Sequence, residues 1–397
     1  MMSRSDEPPT TVEQALDAGS DLLLESAPTC VVVPDATRPL DYPSAIRPLV
    51  ERIATSSPID IVVATGLHRP MTTDELRPLG EAVGDYDVDI IQHDATGPDL
   101  VDFGAADKLP DAAPDIPVAL NRRVVDAERI ICVGTVEPHQ YAGFSGGIKA
   151  VAIGCAGRRT IAAMHGLSFL RDDATTLGRI ADNPFQQSLW QIGAALDDRE
   201  VLGLQVVPDT EAEVAAVTFG AIDEAYREAC DVAQNLYFED FDTPVDWMHL
   251  PVPEVKASNF YQASRAATYA GLIDRPAISA GGPIIVEAAC PEGIGTGSGE
   301  RACAAAMKRG RDVLLQELAG EKTPPETCGG QQRAYVLAKA RKRHPIALVG
   351  APPIDELEPM DIEQFDTIRE AMSVWDLDDG KGRRIDDVFH RVPRLGG

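Results

Sequence analysis

Lysine is scarce in this 397-residue chain: there are eight, so 28 of the 36 basic side chains are arginine. Basic residues together fall far short of the 63 acidic ones, leaving a formal net charge of −27. That balance excludes nucleic acid and anionic membrane surfaces as partners, because both require a positive patch. It fits a chain that stays soluble in concentrated salt, a halophilic trait. Long apolar runs are also missing, and none approaches the roughly 20 residues of a membrane span. Met1 to Asp21 is acidic and polar, unlike a signal peptide. The seven cysteines (Cys30, Cys132, Cys155, Cys230, Cys290, Cys303 and Cys328) are odd in number and lack any C-x-x-C pair. Neither a disulfide framework nor a cysteine zinc site is expected. The expectation is a soluble, cytoplasmic protein with reduced thiols.

What is present is enough apolar residue, 44% of the chain, for sizeable cores. At roughly 150 residues per domain the length predicts two domains. Short apolar runs at Cys30–Val33, Ile59–Ala64, Val88–Gln92 and Arg129–Val133 read as buried strands. Amphipathic stretches at 44–54, 73–83 and 157–170 read as the helices between them. Strands alternating with helices imply parallel βαβ units, hence an α/β fold class. The proline-bearing stretch from Asp240 to Val255 reads as a boundary or linker. Beyond it, helices over 262–272, 300–318 and 362–375 alternate with strands over 283–288 and 345–349. The expected organisation is residues 1–240 as an N-terminal α/β domain and 241–397 as a smaller α/β domain. The last residues are free to pack back on the first.

Three strands of the first domain run into polar clusters: Pro34-Asp-Ala-Thr-Arg-Pro39, Thr65-Gly-Leu-His-Arg-Pro70 and Gly134-Thr-Val-Glu-Pro-His139. Ligands of parallel sheets sit beyond the carboxyl ends of strands. If these strands are neighbours, Asp35, Arg38, His68 and His139 line one crevice; singly, each residue also fits a turn or cap. The densest segment follows, Glu137 to Lys149, with the turn Ser145-Gly146-Gly147. It has neither P-loop nor dinucleotide-fingerprint spacing. By its residues it is either a phosphate or cofactor loop or a structural glycine turn. Lys149 stands out because the chain elsewhere prefers arginine, and the two differ where an amine must react.

On these residues the sequence resembles the nickel-pincer lactate racemase family. The likeness is carried by Asp35-Ala-Thr-Arg-Pro39, Thr65-Gly-Leu-His-Arg-Pro70, Val136-Glu-Pro-His-Gln-Tyr-Ala-Gly-Phe-Ser-Gly-Gly-Ile-Lys149 and His165, then Tyr261-Gln262 and Ala280 to Ile285. The resemblance implies a two-domain α/β isomerase whose active site lies in the cleft between its domains. It implies a pyridinium-3-thioamide-5-thiocarboxylic acid mononucleotide joined to Lys149 and holding nickel, with His165 as the metal ligand from the protein. Four-coordinate, tetragonal nickel suits two sulfurs, one carbon and one imidazole. The implied reaction is hydride abstraction from a 2-hydroxy acid and its return to the opposite face. His68 and His139 serve as the bases. Ser145, Gly146, Gly147 and Tyr261 are then cofactor residues, and Asp35, Thr37, Arg38, Gln262 and Arg265 substrate residues. Cofactor-biosynthesis proteins are the implied partners.

The chain departs from the family pattern in three places. Arg265 replaces the lysine of Tyr-Gln-x-x-Lys, and Pro253 to Asn259 replaces a Gly-Tyr-Pro segment with an Asp soon after. Ile153-Gly154 stands where Pro-Gly is common. The substrate is therefore left open between lactate and a related acid. Two other readings stay open: a protein that binds the cofactor or a hydroxy acid without turnover, and a zinc hydrolase built on His68, His139 and His165.

Overall fold

The computed structural model describes residues 8–38, 40–54, 58–106, 115–211, 213–324 and 329–396. Pro39 and Cys328 lie outside the described residues. The chain divides into two compact units. One takes Met1–Pro138, Phe144–Met164 and Pro184–Asn235; the other takes His139–Gly143, His165–Asn183 and Leu236–Gly397. A single cut after residue 240 thus simplifies a division in which two short segments cross over.

The first unit is built on a six-stranded sheet of β1 (Thr29–Pro34), β2 (Ile59–Ala64), β3 (Val88–Gln92), β4 (Arg129–Thr135), β5 (Glu200–Pro208) and β6 (Val214–Ala221). The strand order is β6-β5-β4-β1-β2-β3. All pairings are parallel except β5 with the edge strand β6. The near-continuous apolar runs of β1, β2 and β4 follow from burial on both faces. Val31, Val33, Ile61, Val63, Ile131 and Val133 point one way, into a core shared with Ile46, Leu49, Val50 and Ile53. Those four residues lie on the helix Tyr42–Ile53, which starts with a proline in its first turn. The helix Thr73–Val83 opens with a capping box between Thr72 and Glu75.

The second unit holds a five-stranded, all-parallel sheet of β7 (Trp247–Pro251), β8 (Ile284–Glu287), β9 (Ile346–Val349), β10 (Glu363–Phe365) and β11 (Gly382–Arg384), ordered β10-β9-β8-β7-β11. This corrects the linker expected over 240–255. Trp247, Met248 and Leu250 are buried, and the prolines fall before the strand or at its end, where no ladder donor is lost. Two expected long helices are broken. The 300–318 stretch is Ser298–Met307 and Arg311–Ala319, parted at Gly310 (φ 90°). The 157–170 stretch is Arg158–Met164 and Leu167–Arg171, parted at His165-Gly166. The expected 362–375 helix is β10 followed by a helix, Ile368–Val374, capped by Thr367.

The α/β class expected from the sequence is the class observed. Among the described residues no helix is long and apolar enough to cross a membrane. The six described cysteines are free and buried, and burial pushes Cys132 up to about 12 and Cys290 up to about 11. Such thiols are inert near neutral pH.

Candidate active site

In the first unit, β1 is flanked by β2 on one side and β4 on the other. The chain changes direction across the sheet there, and the crevice beyond the carboxyl ends of such strands is where open α/β sheets bind ligands. The parallel register sets Pro34 beside Ala64, so Asp35 and the Thr65–His68 turn leave the sheet together. The turn is closed by the His68 amide donating to the Thr65 carbonyl (2.9 Å). Asp35 is 5% exposed and holds two partners. It accepts from the amide and hydroxyl of Thr37, and its Oδ2 lies 2.7 Å from His68 Nδ1. Burial alone pushes the Asp35 carboxyl up, but the hydrogen bonds from His68 and Thr37 outweigh it and hold it below the usual range. An ionised carboxylate can only accept, so His68 carries a proton on Nδ1 and Nε2 is the nitrogen not engaged by Asp35. The His68 side chain is 61% exposed.

Lys149 begins the four-residue helix Lys149–Ala152 and is half-buried. Burial, reinforced by the charge of Arg38 and opposed by Asp35, brings its ammonium down to about 7. The amine is therefore substantially unprotonated at neutral pH. The turn before it is held from inside the protein. Ser145 donates its hydroxyl to the Thr135 carbonyl (2.8 Å), and Gly147 donates its amide to Gln205 Oε1 (2.8 Å). Gly146 and Gly147 have φ of 84° and 59°. A Cβ on Gly147 would lie 2.7 Å from the Tyr226 ring. The Ser145 hydroxyl and Gly147 amide are thus engaged in shaping the turn that presents Lys149. Gln205, fully buried on β5, also donates to the Cys132 carbonyl (2.8 Å). Nothing in the sequence singled it out: one glutamine in an apolar strand looks like a pattern defect.

In the second unit, Tyr141 stands edge-on to both His139 (centroids 5.8 Å apart) and His165 (6.2 Å). His139 Nδ1 accepts from the amides of Tyr141 (3.3 Å) and Ala142 (3.1 Å). Asn183 pins the same segment by donating to the Tyr141 carbonyl (2.8 Å). His165, half-buried, occupies the break between the helices Arg158–Met164 and Leu167–Arg171. Asn259 caps the helix Phe260–Ala263, which carries Tyr261 and Gln262. Arg265 Nη2 donates to Gln262 Oε1 (2.6 Å), and its guanidinium lies 5.7 Å from the Phe389 ring centroid. Arg333 lies 5.2 Å over the Tyr261 ring and donates to Gln140 Oε1 (2.8 Å). Tyr141, Arg333 and Phe389 were not assigned from the sequence; only Tyr141 sits inside a recognisable motif. Among the described residues no three His, Cys, Asp or Glu side chains gather into a group able to hold a metal ion.

A half-buried lysine and a carboxylate-anchored histidine that follow the strands of an α/β sheet suit a small-molecule enzyme site. Residues 2–178 match the model of the lactate racemase N-terminal domain. It is 28% identical to the lactate racemase of Lactiplantibacillus plantarum over 94% of this chain and 88% of that one. It is 26% identical to that of Thermoanaerobacterium thermosaccharolyticum over 80% of this chain and 72% of the relative. The fold is similar to the solved apoprotein structure of a Thermoanaerobacterium thermosaccharolyticum lactate racemase, with TM-score 0.80, 22% identity, and coverage of 98% and 94%. A Thermotoga maritima protein of solved structure is similar at TM-score 0.69 and 18% identity, covering 97% of each chain.

Proposed function

We propose that this protein racemises or epimerises a 2-hydroxy acid, lactate or a related acid, with a nickel-pincer nucleotide bound covalently through Lys149. The observation that carries the reading is the lysine itself. In a chain of eight lysines, this one is half-buried, and burial with the charge of Arg38 brings its amine to about 7. The donor set suits the group. His165 would be the single ligand that the protein gives to such a nickel group, so a cluster of protein ligands is not needed. When bound, the group supplies the acceptor for the hydrogen that leaves carbon 2 with its electron pair.

The chain's own residues do the rest. Arg38 and Arg265 present guanidinium forks suited to a substrate carboxylate. Gln262 orients Arg265, and Tyr261 offers a ring face to the cofactor. Thr37 and Asp35 act through His68. His68 and His139 handle the proton of the substrate hydroxyl, whose loss accompanies formation of the keto acid. Ser145, Gly146 and Gly147 set the turn that aims Lys149. The reaction is placed in the cytoplasm, where cofactor-biosynthesis proteins load the enzyme.

The test is chiral analysis of single enantiomers of lactate, malate and longer 2-hydroxy acids, incubated with protein from a host that makes the cofactor. Conversion of at least one enantiomer to its mirror form or epimer is expected. A fully loaded protein inert toward every acid would instead be a carrier.

A further inference from the structure

Arg333 is a buried charge without a counter-charge. It is 8% exposed and stands in the first turn of the helix Gln331–Arg343, where the helix dipole disfavours a cation. Other basic residues nearby in the chain are paired. Lys339 and Arg343 both meet Asp173, and the half-buried Arg309 is held by both carboxylate oxygens of Glu317. Arg333 forms no ion pair among the described residues. Its Nη1 donates to a neutral oxygen, Gln140 Oε1 (2.8 Å). Its Nε is buried and has no partner, and Nη2 is likewise unbonded among the described residues. The guanidinium lies 5.2 Å from the Tyr261 ring centroid, a contact that offsets only part of the cost of desolvating a charge. Two neighbouring acids, Tyr141 and Cys303, do not supply the missing negative charge. Burial keeps both protonated and raises Cys303 to about 12. Gln140, Tyr141, Tyr261, Cys303 and Arg333 all belong to the second unit.

We propose that Arg333 receives an oxyanion, the carboxylate or phosphate group of a small ligand, along its Nε–Nη2 edge. Those two N–H groups lie side by side on a guanidinium, so the donors left unpaired form one fork, matched to two oxygens of such a group. Gln140 takes the remaining nitrogen and sets the orientation of the fork. The Tyr261 ring holds the cation while the anion is absent. Nε is closed to water as it stands, so the guanidinium turns about its last bonds when the anion enters. In the racemase reading, on which the choice of ligand rests, the oxyanion belongs to the 2-hydroxy acid or to the nucleotide.

The test uses the full-length apoprotein, 15N-labelled, followed at its arginine Nε–Hε signals. The Arg333 signal is identified by its loss in R333Q and by correlation to its own backbone amide in the unmutated protein. Inorganic phosphate, both enantiomers of lactate, and malate are titrated separately. A saturable shift of the Arg333 signal is expected. A response to inorganic phosphate assigns a phosphate group, and a response to the hydroxy acids assigns a carboxylate. No saturable shift with any probe, or a shift shared by the arginines at large, overturns the proposal. Removing a buried, unpaired charge does not weaken a fold, so R333Q apoprotein is expected to melt no lower than wild type. A large drop in its melting temperature would make Arg333 a structural residue and overturn the proposal. Arg333→Lys keeps the charge and loses the fork, and is expected to weaken binding of the active probe at least about tenfold by calorimetry. Undiminished binding in R333K would overturn the fork. A shift in apoprotein without turnover by loaded protein would keep the site and remove the racemase reading; turnover without a shift would do the reverse.

Discussion

The reactivity of Lys149 is the most exposed consequence of this structure. Its amine is drawn from 10.5 to about 7, chiefly by burial and then by Arg38. At pH 8 an amine of that kind is about 90% free base, whereas an ordinary lysine is about 0.3% free base, a ratio on the order of 300. Competitive trace acetylation between pH 5.5 and 10, with Nα-acetyl-lysine amide in the same tube and peptide mass spectrometry as readout, measures this directly. Half-burial slows the absolute rate, so the shape of the profile is what decides. Lys149 labelling is expected to level off above about pH 8 with a midpoint near 7, while the standard keeps rising about tenfold per pH unit. Arg38→Gln removes the second cause and is expected to move the midpoint upward. A Lys149 profile that climbs in parallel with the standard through pH 9 would refute the reasoning.

Four further outcomes follow from the same geometry. Lys149→Met is expected to stabilise the apoprotein by about 1–3 kcal/mol at pH 6, because a charge in a desolvated position is removed. The folded pKa is depressed, so unfolded wild type binds more protons between about 7 and 10.5; wild-type stability rises there and the variant's gain fades, as urea unfolding at pH 6, 8 and 10 would record. Gln205→Leu strands the Gly147 amide and the Cys132 carbonyl and is expected to cost about 2–4 kcal/mol by the same assay. Gly147→Ala meets the Tyr226 ring at a left-handed φ and is expected to cost at least about 2 kcal/mol and to impair loading of Lys149. With a net charge of −27, the melting temperature is expected to rise as potassium chloride increases from 0.1 to 2 M, since screening weakens self-repulsion.

The sequence revealed most where one force acts alone. Strands β1, β2 and β4 are buried on both faces, so their apolar runs marked them within a residue or two. Trp247–Pro251 was hidden by its prolines, which mark a boundary in most contexts but here only bound a central strand. The helix breaks at Gly310 and at His165-Gly166 were hidden because the apolar period continues across both. At the site, residue types were legible but their couplings were not. Asp35 and His68 are 33 residues apart and meet only through the register of β1 on β2. Gln205 contributes through two hydrogen bonds to backbone, which leave no periodic trace. The amides that meet His139 Nδ1 belong to the backbone, so side-chain identity alone could not disclose that contact.

The measurement that bears most directly on the central claim is intact-mass spectrometry, with metal analysis, of protein from a host that makes the nucleotide. The account predicts a covalent adduct that maps to Lys149, one bound nickel lost on His165→Ala, and unmodified protein from a host without the pathway. An unmodified chain from the competent host, or an adduct that persists in Lys149→Ala, would contradict it.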